Sequence, residues 1–212
     1  MPMKLYDAAW APSPRRVRIY LAEKQITVER VEVDLRGDEH FGDAYLAINP
    51  RGTVPALQLD SGEVICESAA ICRYFEALQP EPPLFGTTPI EIARVEAWTR
   101  RVEHDGYAAA VYAFRNSRPA MAGRGAPGKW PSIPLIPELA TRGAIMWGAF
   151  VEALEARLGG AEWIAGDHFS FADISALVTI DFARIAKLPV GEDNNEIARW
   201  YQAVTARPSA SA

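Results

Sequence analysis

Few residues in this chain have the types and spacing that chemistry needs. Cys66 and Cys72 are the two cysteines, too few for a disulfide framework or a four-ligand zinc site. His40, His104 and His168 are too scattered to suggest a metal cluster, so no metal is expected. Both cysteines read as small buried hydrophobes, not as redox centres. Ser170 and Asp173 could be a nucleophile with its carboxylate partner. Their spacing is also that of a capping box, in which the serine caps a helix and the aspartate reaches back to its first N–H. Capping explains the pair fully, and a catalytic reading is rejected. Ser13, followed by Pro14, has the pattern of a helix N-cap with proline at the first helical position.

These residues need elements to position them. Lys4-Leu5-Tyr6 is a short strand candidate, and Val17, Tyr20 and Leu21 mark the apolar side of a helix that Ser13 would start. Val31 to Leu35 alternates with period two, as a half-buried strand does. Ala56-Leu57-Gln58-Leu59 and Val64-Ile65-Cys66 flank Asp60-Ser61-Gly62, the signature of a hairpin. Ile71, Phe75 and Leu78 then give a helical stripe. This order predicts a mixed sheet with helices on its faces. A proline-rich stretch at 81–89 reads as a linker. Beyond it the chain reads as helical: a long helix from Ile92 towards Phe114, a second through Met146, Phe150, Leu154 and Leu158, a third over 171–187 and a fourth over 196–206. A loop over 119–137 carries five prolines and three glycines. The expected division is an α/β domain over 1–80, a linker over 81–89 and an all-helical domain over 90–212.

Composition narrows the partners. The 212 residues are 49% hydrophobic and 23% charged, an ordinary globular balance with room for a core in one or two domains. A formal charge of −5 supplies no global field for nucleic acid. No apolar run approaches the roughly 18 residues of a membrane span, and the first residues lack a signal-peptide pattern. The expectation is a cytoplasmic protein with neither nucleic-acid nor membrane partners.

Three segments together resemble the cytosolic glutathione transferases, in particular the theta-like and related bacterial branches. They are Asn49-Pro50-Arg51-Gly52-Thr53-Val54-Pro55-Ala56-Leu57, then Glu67-Ser68-Ala69-Ala70-Ile71 with Tyr74 beyond, and Phe169-Ser170-Phe171-Ala172-Asp173-Ile174. The resemblance runs in order along nearly the whole chain, including the closing Ala206-Arg207-Pro208-Ser209. It implies a thioredoxin-like N-terminal domain, an all-α C-terminal domain and a homodimer, with glutathione as co-substrate and a role in detoxification. It also implies that Val54 precedes a cis Pro55 and pairs its backbone with the cysteinyl part of glutathione, as an added strand would. Glu67 and Ser68 then receive the γ-glutamyl end, where a helix N-terminus suits a carboxylate. The alternative for Ser68 is a plain N-cap. By the same resemblance His40 contacts the glycyl end, and Thr53 falls where related branches often carry Lys or Gln.

The first loop departs from the family. A glutathione transferase must convert the ligand's thiol to thiolate, and the free pKa near 8.5 has to be lowered by donors or a helix dipole. Counting back from Val17, the position that holds Ser or Cys in several branches is Ala11. Alanine offers no donor. Ser13 is the first replacement, in competition with simple capping, and Tyr6 at the end of the first strand is the second, with register pointing to a buried ring. The stretch Ala11-Pro12-Ser13-Pro14 lacks the Cys-x-x-Cys of thioredoxins and glutaredoxins. Trp10, Tyr107, Phe114 and Arg115 are candidates to line a pocket for a small electrophile; Tyr107 and Phe114, seven apart, share a helix face. The leading expectation is transfer of glutathione to an electrophilic carbon. The alternatives are a non-catalytic binding or regulatory protein, which Ala11 favours, and a glutathione-dependent disulfide or peroxide reductase.

Overall fold

The computed structural model describes residues 2–212 and falls into two compact units. The first comprises the chain up to Pro82, Ala126–Pro131 and Ala212; the second comprises Pro83–Gly125 and Ser132–Ser211.

The first unit is built on a four-stranded mixed sheet of order β2-β1-β3-β4. Its strands are β1 (Lys4–Asp7), β2 (Glu29–Glu32), β3 (Ala56–Gln58) and β4 (Val64–Cys66), with helices α1 (Pro12–Glu23), α2 (Asp43–Leu46) and α3 (Ser68–Leu78). β2 runs parallel to β1, whereas β3 is antiparallel to both β1 and β4. The hairpin stands where Asp60-Ser61-Gly62 placed it, with Gly62 at φ 88°, a conformation glycine adopts without strain. β2 differs from expectation: it covers Glu29–Glu32, not 31–35. Its parallel partner sets that limit, because β1 ends at Asp7 opposite Glu32. One further bond, Val33 N–H to the Asp7 carbonyl at 2.8 Å, closes the pairing. Val17, Tyr20 and Leu21 of α1 are buried, as are Ile71, Cys72 and Phe75 of α3, and these two helices pack together. Each large apolar side chain so removed from water contributes about 1.5–3 kcal/mol.

Buried ions brace this unit in a way composition does not announce. Lys24, 1% exposed, closes α1. Its Nζ meets Glu76 Oε2 at 2.6 Å and donates to the carbonyls of Gln79 (2.7 Å) and Pro80 (2.9 Å). Gln79 returns a bond to the Lys24 carbonyl at 2.8 Å, so the ends of α1 and α3 hold each other.

The second unit is helical. It contains α4 (Pro89–Arg101), α5 (Ala108–Asn116), α6 (Pro137–Leu158), α7 (Phe171–Ile185) and α8 (Asn195–Thr205). The long helix read from Ile92 towards Phe114 is interrupted: Val102–Tyr107 form a π-helical turn between α4 and α5. Gly106 lies in that turn, where an added Cβ would stand 2.8 Å from the Phe150 ring of α6. A Cβ on Gly143 of α6 would stand 2.6 Å from the Ala109 carbonyl. Gly143 therefore lets α6 approach α5 at backbone distance, and Gly106 lets the Phe150 ring of α6 lie against the π turn. α7 is buried on nearly all sides and forms the centre of the unit, the signature of a helix apolar all round.

Asp173, in the first turn of α7, is fully buried and organises its surroundings. Its carboxylate accepts from the Ser170 N–H and hydroxyl (both 2.9 Å), the Ile164 N–H (3.0 Å) and Trp200 Nε1–H (2.8 Å). The capping box is present, and the aspartate serves two further donors from elsewhere in the unit. Burial pushes this carboxyl up from the ordinary range, and the four donors act in the opposite direction.

Candidate functional site

Strand order decides which ends meet. With β1 and β2 parallel and β3 antiparallel between β1 and β4, the C-terminal ends of β1, β2 and β4 share one edge with the N-terminal end of β3. The first loop follows β1, His40 follows β2, Val54-Pro55 precedes β3, and Glu67-Ser68 follows β4. Residues scattered from position 6 to 68 are thereby gathered along one sheet edge.

The Val54-Pro55 peptide is cis, and Val54 is half-buried. Its N–H and C=O make no hydrogen bond among the described residues. The turn before it is held from inside. The buried Asn49 side chain donates to the Thr53 carbonyl at 2.7 Å and to Thr53 Oγ1 at 3.1 Å, and Tyr45 Oη donates to the same carbonyl at 2.6 Å. Gly52 takes φ 58°, where a Cβ would lie 2.9 Å from the Phe41 ring and 3.0 Å from the His40 carbonyl. That close approach seats the 39–41 turn against the 49–54 turn. The His40 ring itself lies tilted against Phe41, with centroids 3.9 Å apart.

Across from this strand start lies the beginning of α3. Ala56 pairs with Cys66, so the register continued outward sets Pro55 across from Glu67 and Val54 across from Ser68. Glu67, not Ser68, is the N-cap of α3, at φ 73° and ψ 124°. A non-glycine residue in that region costs on the order of 1–3 kcal/mol and persists only where its surroundings enforce it. Ser68 is the first helical residue and caps nothing; it is 5% exposed, and its hydroxyl makes no hydrogen bond among the described residues. No side chain caps α3. Its first turn therefore presents uncapped N–H groups and the positive end of the dipole.

The first loop is pinned by charges that sequence reading passed over. Asp7 is fully buried, and Arg18 Nη1 meets its Oδ1 at 2.7 Å while Arg30 Nε meets its Oδ2 at 2.8 Å. Arg18 Nη2 also donates to the Ala9 carbonyl at 2.7 Å, and the Ala9 N–H donates to Glu32 Oε1 at 2.9 Å. Burial pushes the Arg18 guanidinium down from its ordinary value, and the adjacent Asp7 carboxylate pushes it back up. The available signal was an aspartate at an inward position of β1 and an arginine on the inward side of α1, each in otherwise apolar surroundings.

The expected start of α1 needs correction. Ala11 is the N-cap, Pro12 occupies the first helical position and Ser13 the second. Ser13 therefore does not cap the helix. Proline has no N–H, so among positions 12 to 14 Ser13 carries the one backbone donor as well as a hydroxyl. Ala11 is 5% exposed, and its own N–H is bonded to the Ala8 carbonyl at 2.9 Å. Tyr6 is half-buried with its hydroxyl donating to Gln58 Oε1 at 3.1 Å and its ring edge-on to Tyr45. Cys66 is half-buried and Cys72 fully buried; desolvation pushes both thiols up, which disfavours thiolate at either.

The four remaining candidates lie in different units. Trp10, 56% exposed, belongs to the first, with the Arg36 guanidinium 5.7 Å from its ring centre. Tyr107 and Phe114 belong to the second, and both pack on Phe182, with centroids at 5.5 and 5.2 Å. Arg115 donates to the Arg124 carbonyl at 2.8 Å. Among the described residues no group of three or more His, Cys, Asp or Glu side chains could hold a metal ion.

Comparison with known proteins places both units in one family. Residues 10–78 match the glutathione S-transferase N-terminal domain, and residues 148–208 match the C-terminal domain. Glutathione S-transferase 2 of Saccharomyces cerevisiae is 34% identical over 98% of this chain and 87% of its own length. A glutathione S-transferase domain-containing protein of Marinobacter aquaeolei superposes with a TM-score of 0.89 at 32% identity, covering 97% of this chain and 98% of that one. A class Gtt2 glutathione S-transferase of Vibrio parahaemolyticus does so at 0.82 and 36% identity, covering 97% and 94%. The α/β unit thus has the thioredoxin-like fold of these proteins and the helical unit their C-terminal fold, and the chain belongs to the glutathione S-transferase family.

Proposed function

We propose that the chain is a glutathione transferase: it binds glutathione along the sheet edge, stabilises its thiolate and directs the sulfur at a small electrophile. The observation that carries this reading is the pairing of two unsatisfied features in register. The open Val54 peptide can hydrogen-bond an extended tripeptide backbone as a further strand would. Ser68 and the uncapped start of α3 can hold the ligand's α-carboxylate, with Glu67 accepting from its ammonium. His40 and Thr53 flank the glycyl end of the same path. Sulfur then falls towards the start of α1, where Ser13 supplies donors and Ala11 supplies none. Tyr6, whose hydroxyl is bound to Gln58, ranks second for thiolate stabilisation. Trp10, Tyr107, Phe114 and Arg115 are proposed to contact the electrophile. The reading extends to a homodimer working in the cytoplasm in detoxification, with the first 80 residues binding glutathione, 81–89 linking, and 90–212 serving the second substrate. The relatives are glutathione S-transferases, which supports the transferase part of the reading.

Calorimetric titration with glutathione, combined with thiolate absorbance of the bound ligand against pH, tests this directly. Binding with a thiol pKa below the free value is the expected result; no binding at millimolar glutathione would overturn it. Ser13→Ala is expected to raise the bound thiol pKa by about one unit, equivalent to about 1.4 kcal/mol, with affinity nearly intact. The thiolate fraction near neutral pH, and the rate with it, then falls. Ser68→Ala is expected to weaken binding roughly ten- to a hundredfold while leaving the thiol pKa alone, as for a lost hydrogen bond to a charged group. Equal affinity in that variant would remove Ser68 from the site. A second reading, binding without catalysis, is favoured by the buried, donorless Ala11; an unshifted thiol pKa in the native complex would select it.

A further inference from the structure

The 126–131 segment lies far in sequence from the sheet yet belongs to the first unit. It meets that unit at Arg51–Thr53, the residues immediately before the open Val54 peptide. The Lys129 N–H donates to the Arg51 carbonyl at 2.7 Å. Gly128 takes φ 93°, and a Cβ there would lie 3.0 Å from the same carbonyl and 3.2 Å from Thr53 Cγ2. A side chain at 128 would be both strained and crowded, so glycine is what allows the approach. The Arg51 guanidinium stands 5.8 Å from the Trp130 ring centre. Trp130 Nε1–H donates to the Pro127 carbonyl at 2.8 Å, which closes the segment on itself and gives the strap a shape of its own. Asn49 and Tyr45 hold the turn from inside through the Thr53 carbonyl, and the strap holds it from outside through the Arg51 carbonyl.

We propose that residues 126–131 act as a positioning strap for glutathione, with Trp130 and Gly128 fixing the 51–53 turn so that the Val54 peptide stays aligned for the ligand. This rests on the glutathione reading above. None of the strap's residues is required to touch sulfur, so the strap governs affinity and leaves thiolate stabilisation to the start of α1. Ordering a peptide before binding removes an entropic cost that the ligand would otherwise carry. Releasing the strap therefore weakens binding without moving the ligand's ionisation.

Trp130→Ala and Gly128→Val, with Trp130→Phe as the conservative variant, test this in the full chain. Expected are a Kd for glutathione raised about five- to tenfold in the first two, equivalent to about 1–1.4 kcal/mol, and a value near native in Trp130→Phe, which keeps a ring facing Arg51. The thiol pKa of the bound ligand should be unchanged, KM for glutathione raised with kcat retained, and amide hydrogen exchange faster at Gly52–Val54. Unchanged affinity in both disruptive variants, or a loss that merely follows the fall in melting temperature, would overturn the strap while leaving the glutathione reading intact. Absence of binding by the native chain would overturn both.

Discussion

Asp173→Ala is expected to lower the stability of the protein by about 3–5 kcal/mol, the largest effect of any single substitution considered, because it strands several buried donors at once. The Ser170 and Ile164 N–H groups and Trp200 Nε1–H all lose their acceptor, and Trp200 is fully buried. Each stranded donor costs about 1–3 kcal/mol, partly relieved if water enters the space left by the carboxylate. Against a typical total of about 5–15 kcal/mol, most of the margin is removed. Chemical denaturation followed by tryptophan fluorescence measures it, with Trp200 itself reporting. Asp173→Asn keeps one carbonyl oxygen and should lose less. A loss under about 1 kcal/mol in Asp173→Ala would mean that solvent replaces the carboxylate, and that the first turn of α7 is not the keystone its bonds imply.

Arg18→Met is expected to cost about 3 kcal/mol and, unlike Asp173→Ala, to injure the chemistry as well. Methionine preserves much of the volume but leaves Asp7, which is fully buried, with Arg30 as its remaining partner. It also frees the Ala9 carbonyl from Arg18, so the loop leading to Ser13 loses one of its anchors, the Ala9 N–H to Glu32 bond remaining. The bound thiol pKa should rise, and kcat should fall by more than affinity does. Arg30→Met is the comparison: the Arg30 side chain is half exposed, and its loss should cost well under that of Arg18. Asp7→Asn combined with Arg18→Met should be less harmful than the sum of the two, since the second change removes a charge the first has already orphaned. Strict additivity, measured by denaturation, would show that the two side chains are not energetically coupled.

Much of this architecture was legible because its signals are local. The Asp60-Ser61-Gly62 turn, the Ile71-Phe75 stripe and the Ser170-Asp173 box each depend on residues a few positions apart, and each appears where the pattern put it. What escaped depends on distant partners. The limits of β2 come from where β1 ends, which alternation in 31–35 does not encode. The π turn exists where Gly106 meets Phe150, a contact made across 44 positions of sequence (150 − 106). Ser13 was read as a cap because Pro14 follows it, yet Pro12 satisfies the same preference two positions earlier and takes it. At the site, the residue types at Val54, Pro55, Glu67 and Ser68 were evident. The unusual backbone at Glu67 was not, since a strained φ has no compositional mark; the prolines and glycines of 119–137 marked a long loop, but not that 126–131 returns to Arg51–Thr53.

The alternation of proline and serine at the start of α1 has a consequence for what that end of the helix can select. An ordinary first turn offers three converging N–H groups, which suits the several oxygens of a phosphate or sulfate. Here Pro12 and Pro14 erase the flanking two, and the Ala11 N–H is already spent on Ala8. Of positions 12 to 14 Ser13 alone carries a backbone N–H, so no tripod of N–H groups forms there. Such an end lacks the arrangement that suits a polyatomic oxyanion, so phosphate and sulfate are expected to bind it weakly.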